Sequence, residues 1–225
     1  MTTYLITGAN RGIGLEMTRQ VLAQGHRVIA TCRSLSTANE LSSLVGSLDV
    51  YELDVTDASA TLALAERLDS LVLDVLVNNA GVMAERQSVN DMDYDEWISS
   101  FVVNAIAPWR VSVAFASHLD ASSSPRLITL TSQMGSMERA RSDRVSYRSS
   151  KAAANMAMRT LALEWKARGV TVCMLHPGWV RTDMGGSDAA VGTIESAAGL
   201  LKVIEALTIE DTGRFLDFEG QEIPW

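Results

Sequence analysis

The stretch Thr7-Gly8-Ala9-Asn10-Arg11-Gly12-Ile13-Gly14 follows a short apolar run and precedes a segment of helical periodicity. Glycine allows a tight turn, and its missing side chain lets backbone N–H groups approach a bound anion closely. The amino end of the following helix adds a partial positive charge that favours phosphate. We therefore expect this turn to contact the pyrophosphate of a dinucleotide, with Gly8, Asn10, Arg11, Gly12, Ile13 and Gly14 as its cofactor-binding residues. The spacing is G-x-x-x-G-x-G rather than the general G-x-G-x-x-G, and a glycine turn without a ligand is the alternative.

Outward from this turn, short apolar runs alternate along the chain with longer helical patterns, as is typical of a parallel sheet with helices on both faces. We predict strands at Thr3–Thr7, Arg27–Cys32, Ser47–Leu53, Asp74–Val77, Arg126–Thr131, Val170–Leu175 and Arg214–Phe218. We predict helices from Ile13 to a stop at Gly25, and at Ala58–Ser70, Trp97–Leu119 with a bend at Pro108, Val145–Arg168 and Ile194–Leu207. Residues 1–225 then form one α/β domain, a doubly wound parallel sheet (Rossmann fold) that binds ligand at the carboxyl ends of its strands.

The end of the second strand indicates which dinucleotide is preferred. An acidic residue there hydrogen-bonds the 2′-hydroxyl of NAD, whereas an arginine accommodates the 2′-phosphate of NADP. The sequence reads Thr31-Cys32-Arg33, without a carboxylate, and Arg11 of the glycine turn can approach the same phosphate. Either arginine alone is more simply interpreted as a solvated surface charge. Together they favour NADP(H), because two guanidinium groups make charge-assisted hydrogen bonds that NAD cannot reproduce.

Tyr147 and Lys151 begin a predicted helix four residues apart, so their side chains share one face. A free tyrosine titrates near pH ~10, and a nearby cation lowers its pKa toward the range useful for acid–base chemistry. Ser132 follows the fifth predicted strand, where its hydroxyl can donate to a substrate oxygen. Capping of a helix or strand end is the alternative for this serine. The absence of Gly-x-Ser-x-Gly around it argues against a hydrolase nucleophile.

These motifs resemble, in order and spacing and over essentially the whole chain, the classical short-chain dehydrogenase/reductase family. The glycine turn matches the cofactor loop of that family, and Asn78-Asn79-Ala80-Gly81 matches its motif after the fourth strand. The segment Pro177-Gly178-Trp179-Val180-Arg181-Thr182 matches the one that borders the nicotinamide. The active-site positions of the family are matched by Asn104, Ser132, Tyr147 and Lys151.

The resemblance implies the reduction of an aldehyde or ketone by NADPH. Tyr147 is implied to be the general acid in reduction and the base in oxidation, and Lys151 to bind the nicotinamide ribose and perturb Tyr147. Ser132 is implied to hold the substrate oxygen, and Asn104 to connect Lys151 to a proton relay through water. The residues implied to contact the cofactor are Asp54 and Val55 at the adenine, Asn78, Ala80 and Gly81 near the adenosine ribose, and Pro177, Gly178, Val180 and Thr182 at the nicotinamide.

Within the family, the ending Phe215–Trp225 is similar to a subgroup of C-factor and sniffer-like carbonyl reductases. Only Met184–Asp188 and a few further residues separate Thr182 from the last predicted helix, which is too short for the helical substrate lid of the family. We therefore expect an open pocket and broad carbonyl specificity. Candidate apolar walls are Met134, Met137, Trp179 and Met184, although each methionine is as readily interpreted as ordinary packing.

The segment Gly135–Ser146, directly before Tyr147, carries Arg139, Arg141 and Arg144. A solvated loop is the simpler interpretation of these charges. Contact with an acidic substrate is the alternative.

Charge and cysteine content limit the partners. The chain has 19 Lys+Arg against 27 Asp+Glu and a net charge of −8, which argues against nucleic acid or anionic lipid as the main partner. Cys32 and Cys173 lie far apart and there are only three histidines, too few clustered ligands for a zinc framework. Free thiols without a recognisable signal peptide predict a reducing cytoplasm. The resemblance further implies a homodimer formed through the helices Trp97–Leu119 and Val145–Arg168.

Two other functions use the same residues. One is a cofactor-binding signalling or regulatory protein of the C-factor type. The other is a dehydrogenase that works mainly in the oxidative direction, because the cellular redox ratio of NADP sets the direction.

Overall fold

Seven short runs of mainly aliphatic and β-branched residues pair into one parallel sheet in the computed structural model, which describes all of residues 1–225. The strands are β1 (Thr3–Thr7), β2 (Arg27–Cys32), β3 (Ser47–Glu52), β4 (Val75–Asn78), β5 (Gln87–Ser88), β6 (Asp91–Met92), β7 (Arg126–Leu130), β8 (Thr171–His176) and β9 (Phe215–Asp217). The order across the sheet is β3-β2-β1-β4-β7-β8-β9, and β5 and β6 form a separate antiparallel hairpin. The predicted doubly wound sheet is confirmed, and each of its seven strands was placed to within one residue at either end. The hairpin was not predicted, because two-residue strands carry no readable pattern.

The helices are α1 (Gly12–Ala23), α2 (Asn39–Ser42), α3 (Ala58–Arg67), α4 (Tyr94–Phe101), α5 (Ala107–Ala114), α6 (Ala116–Asp120), α7 (Val145–Trp165) and α8 (Thr193–Ala206). The predicted single helix Trp97–Leu119 with a bend at Pro108 was wrong in its start and in its continuity. It begins earlier, where the Asp93 side chain accepts a hydrogen bond from the backbone N–H of Glu96, and it is divided into three pieces. A π-helical segment, Val102–Ile106, separates α4 from α5. The widened turn accommodates Pro108, whose ring would otherwise meet the carbonyl four residues earlier.

Side chains alternate between the two faces of the sheet and are covered by two helical layers. Leu5 and Ile29 face the layer formed by α3, α5 and α7, whereas Ile6 and Ala30 face α1 and α8. The strand order reverses between β1 and β4, and at such a point the carboxyl ends of the strands leave a crevice between the connecting loops. None of the helices combines the length and the apolar character needed to span a bilayer.

Candidate active site

A cleft of about 1470 Å³ lies at the carboxyl ends of the strands. Pockets for one small ligand typically measure roughly 300–1,000 Å³, so this cleft has room for two ligands side by side. The residues predicted for the site that line it are Gly8, Asn10, Arg11, Gly12, Ile13, Arg33, Asp54, Val55, Ala80, Gly81, Ser132, Tyr147, Lys151, Pro177, Gly178, Val180 and Thr182. Gly14, Asn78 and Asn104 are absent from its lining.

The glycine turn has the geometry that a close-approaching anion requires. Gly8 and Gly12 have φ values of 64° and 57°, in the left-handed region that side chains rarely adopt. A Cβ on Gly8 would lie 3.0 Å from the Cα of Ala80, and one on Gly12 would lie 3.3 Å from Cγ2 of Thr182. The absence of side chains at Gly8 and Gly12 therefore permits this backbone conformation. The turn leads into the amino end of α1. These features fit the pyrophosphate of a dinucleotide.

Gly14 lies in the first turn of α1 and packs inward, which corrects the expectation that it contacts the cofactor. A Cβ there would come within 2.4 Å of the Asn79 amide nitrogen and 2.7 Å of the Gly8 carbonyl oxygen. The same Asn79 amide donates hydrogen bonds to the carbonyl oxygens of Thr7 (2.7 Å) and Gly8 (2.9 Å). The lack of a side chain at Gly14 therefore leaves room for the Asn79 amide, whose two hydrogen bonds hold the glycine turn in shape.

Asn78 is also corrected, because the structure places it beneath the cleft. Its amide donates to the hydroxyl of Ser112 at 3.0 Å and to the carbonyl oxygen of Pro108 at 3.3 Å, and the residue is buried. Asn78 is the last residue of β4 and its side chain faces α5. The next residue, Asn79, leaves the strand and lines the cleft instead.

The far end of the cleft, at the carboxyl ends of β2 and β3, carries the charges predicted for an adenosine phosphate. Arg33 is exposed there and forms no ion pair within the protein. Arg11 crosses the cleft to Asp183, with Nη1 2.7 Å from the carboxylate oxygen. Hydrogen bonds from Thr56, aided by the Arg33 charge, lower the pKa of Asp54. Arg33 is therefore available for a ligand. Arg11 would have to leave the Asp183 carboxylate before it could bind a phosphate.

Ser132, Tyr147 and Lys151 come together on one wall of the cleft. The Lys151 Nζ atom donates to the Leu130 carbonyl oxygen at 3.0 Å and lies 5.7 Å from the centre of the Tyr147 ring. The Ser132 Oγ atom accepts a hydrogen bond from the backbone N–H of Met134 at 3.1 Å and so caps a short 3₁₀ turn. Ser132 therefore caps the turn and can also serve as a donor to a substrate oxygen, because accepting the Met134 hydrogen bond does not use its hydroxyl proton.

Burial dominates the titration of the tyrosine and the lysine. It raises the pKa of Tyr147 to about 12, against the opposing effects of the Ser132 hydrogen bond and the Arg144 charge. It lowers the pKa of Lys151 to about 8. The expected lowering of the Tyr147 pKa is therefore not found for the protein alone, because desolvation disfavours the phenolate and outweighs the effects that lower the pKa. Like an ordinary tyrosine, Tyr147 is a protonated phenol at neutral pH, the state required of a proton donor.

Replacement of the buried lysine is expected to stabilise the protein. Its pKa falls from 10.5 when unfolded to about 8 when folded, so burial of the charged form costs about 3 kcal/mol below pH 8. That cost diminishes as the pH rises from 8 toward 10.5. Lys151→Met removes it but leaves the Leu130 carbonyl without a donor, at about 1 kcal/mol. We expect a net gain of about 2 kcal/mol at pH 7 and loss of the rise in stability toward pH 9.5, measured by urea unfolding.

Lys202→Met, on the exposed side of α8, is the matched control. It should change neither the stability at pH 7 nor the rise in stability toward pH 9.5. A Lys151→Met protein less stable than the wild type at pH 7 would show that the charged lysine stabilises the fold.

Asn104 lies in the π-helical segment, a feature that often marks functional sites. Its Oδ1 atom accepts from the backbone N–H of Val82 at 2.9 Å, and its Nδ2 atom donates to the Val82 carbonyl oxygen and to the Ser150 hydroxyl. Asn104 therefore ties the loop after β4 to helix α7. Its link to Lys151 through water stays a prediction.

Two residues of the site were missed in the sequence. Gln87, in the hairpin, accepts hydrogen bonds from the Ser146 hydroxyl at 2.8 Å and the Tyr147 backbone N–H at 3.2 Å, and so anchors the start of α7. His176 ends β8 and lines the cleft with its Nδ1 atom unpartnered. Burial lowers its pKa to about 4, so it is neutral at pH 7. Its position before Pro177 was the one signal available in the sequence.

The substrate end of the cleft has apolar walls and no helical lid. Met134, Trp179 and Met184 line the cleft. Met137 does not, and 75% of its surface is exposed, which corrects that expectation. The Trp179 indole donates to the Gly185 carbonyl oxygen at 2.8 Å, and no helix occurs between Thr182 and α8. The short connection thus has the unlidded form expected for it, while broad specificity stays a prediction.

Comparisons with known proteins agree with this arrangement. Residues 2–190 match the family model described as short chain dehydrogenase. The C-signal protein of Myxococcus xanthus is 43% identical over 155 residues, which cover 68% of this chain and 93% of that protein. An NADPH-bound carbonyl reductase from chicken fatty liver superimposes with a TM-score of 0.93 at 34% identity, covering 100% of this chain and 99% of the other. The carbonyl reductase Sniffer of D. melanogaster gives a TM-score of 0.94 at 27% identity, with 100% of both chains covered.

Proposed function

This chain belongs to the short-chain dehydrogenase/reductase family, and we propose that it reduces an aldehyde or ketone with NADPH, with Tyr147 as the proton donor. Its relatives place it with the C-factor and sniffer-like carbonyl reductases. The observation that carries the proposal is the shared wall of Ser132, Tyr147 and Lys151 in a cleft whose other end has the shape and charge of a dinucleotide site.

The cofactor is NADP(H), which supplies the hydride when it is bound. The absence of a carboxylate after β2 and the exposed Arg33 favour the 2′-phosphate form over NAD. The NADPH-bound carbonyl reductase from chicken fatty liver, with 34% identity over the full length, supports the same choice. The glycine turn would hold the pyrophosphate, and Val180 and Thr182 the carboxamide end.

The residues of this chain supply binding and proton transfer. The free hydroxyl proton of Ser132 donates to the carbonyl oxygen and positions it beside Tyr147. The phenol, which is protonated at neutral pH, donates its proton as negative charge develops on that oxygen. Lys151, held by the Leu130 carbonyl, stabilises the phenolate that remains and has further N–H groups for the ribose hydroxyls.

A direct test follows the loss of NADPH absorbance with aromatic aldehydes, diketones and quinones as candidate substrates. We expect turnover of at least one class with NADPH, and slower turnover with NADH at the same concentration. Circular dichroism and NADPH fluorescence would show that the protein is folded and binds the cofactor. A folded, cofactor-binding protein that reduces none of these compounds would contradict the proposal.

A signalling function is the second candidate, since the C-signal protein of Myxococcus xanthus is 43% identical over 155 residues. The complete acid–base set in the cleft favours the enzyme. A variant that binds the cofactor but cannot donate the proton would distinguish the two functions.

We also propose that the protein is a single-domain, cytoplasmic homodimer. Apolar side chains on the helices expected at the interface are exposed, which supports this association: Ile98, Ile106, Val113, Met156 and Leu163.

A further inference from the structure

Four arginines line the wall of the cleft beside Tyr147, in a chain whose net charge is −8. They are Arg139, Arg141, Arg144 and Arg148. The one carboxylate in the lining of this wall between Leu130 and Lys151 is that of Asp143. An acidic protein thus presents an excess of positive charge where its substrate enters.

The segment that carries these arginines is held in place. The Ser136 hydroxyl and the Glu138 backbone N–H both donate to the main-chain oxygen of Trp225, at 3.1 and 2.9 Å. The Trp225 ring packs against Phe215, with 5.4 Å between ring centres. The Arg139 N–H in turn bonds to the Ser136 hydroxyl. The arginines therefore stand on a segment fixed at the cleft.

Arg148 has a structural role in this segment. Its guanidinium binds the Asp143 carboxylate, with Nη2 2.7 Å from Oδ1, and donates to the Asp143 and Arg139 carbonyl oxygens. Only 13% of its side chain is exposed. The pair neutralises the one acidic group on the wall, which leaves the other three arginines uncompensated.

None of those three arginines has a carboxylate within ion-pair distance. Arg139 Nη1 donates to the amide oxygen of Gln133 at 2.8 Å, and Arg144 Nη1 lies 2.9 Å from the Met83 sulfur. Arg141 has no side-chain hydrogen bond in the protein. Like charges gathered without a counter-charge repel one another, and an anionic ligand relieves that repulsion.

The cofactor phosphates do not account for these charges. The glycine turn and Arg33 follow β1 and β2, whereas the arginine segment follows β7, on the other side of β4 in the sheet. We propose that Arg139, Arg141 and Arg144 bind the acidic group of an anionic carbonyl substrate, a carboxylate on an apolar body, while its carbonyl meets Ser132 and Tyr147. This inference rests on the proposed reductase function and names its substrate class.

The test compares 4-carboxybenzaldehyde with its methyl ester, methyl 4-formylbenzoate, as substrates. The ester group withdraws electrons more strongly, so intrinsic reactivity favours the ester. We expect kcat/KM for the acid to exceed that for the ester by about 10-fold at low ionic strength, mainly through KM, and the excess to shrink as salt is added. Arg141→Gln and Arg139→Gln should each lower the acid-to-ester ratio. Arg27→Gln, at the amino end of β2 and away from the cleft, removes the same charge and should leave the ratio unchanged.

Calorimetric binding of 4-(hydroxymethyl)benzoate and its methyl ester separates this inference from the proposed function. If neither aldehyde is reduced but the acid still binds more tightly and loses that advantage in Arg141→Gln, the reductase proposal fails and the anion site stands. If both aldehydes are reduced with a ratio that neither arginine substitution changes, the reductase proposal stands and the anion site is overturned.

Discussion

Tyr147→Phe is expected to reduce kcat for carbonyl reduction by about 10³-fold, within the 10²–10⁴-fold range of a lost general acid. The substitution removes the phenol proton and keeps the ring that packs beside Lys151. The carbonyl oxygen then develops negative charge without a proton donor beside it. Steady-state kinetics with the best aldehyde of the panel measures the loss.

NADPH binding should survive this substitution, because the glycine turn and Arg33 lie elsewhere in the cleft. Tyr94→Phe, which removes an exposed hydroxyl on α4, is the matched control and should retain full activity. A Tyr147→Phe protein with more than a tenth of wild-type kcat would exclude this residue as the proton donor. In cells, a phenotype that survives the substitution would favour the signalling candidate.

Arg33→Asp is expected to change the preference for NADPH over NADH by about 10²-fold, since a charge-assisted hydrogen bond contributes roughly 1.5–3 kcal/mol and repulsion replaces it. The introduced carboxylate would repel the 2′-phosphate and accept a hydrogen bond from the 2′-hydroxyl of NAD. Arg33 is exposed and forms no ion pair, so the fold should tolerate the change. The ratio of kcat/KM for the two cofactors measures the effect.

Lys202→Asp, an equal change of charge on the exposed side of α8, should leave that ratio unaltered. Retention of the wild-type preference in Arg33→Asp would assign the 2′-phosphate to Arg11 alone. Arg11 would then have to exchange its 2.7 Å pair with Asp183 for the phosphate.

The sequence was sufficient for the architecture and for the contacts between residues close in the chain. Most of the seven strands are buried and read as short apolar runs, and the half-exposed edge strand β3 still carries Leu48, Val50 and Tyr51, which is why all seven could be placed. The glycine turn could be predicted because its residues are adjacent in the sequence. Tyr147 and Lys151 could be placed on one face because residues four apart in a helix lie on the same side. The interruption of the helix after α4 was harder to predict. The π-helical segment before Pro108 depends on how α4 and α5 pack against the rest of the protein, which the local sequence does not show.

Tertiary structure alone decided which side chains meet across the sheet. Whether Asn78 or Asn79 enters the cleft depends on where β4 ends, and Gln87 reaches the start of α7 only because the hairpin folds back over it. The pKa of Tyr147 reverses the local expectation, since desolvation by surrounding residues outweighs the Ser132 hydrogen bond and the Arg144 charge. The physical reason is that periodicity and spacing are local properties of the chain. Burial, charge balance and the direction of a side chain depend on segments far apart in sequence, which only packing brings together.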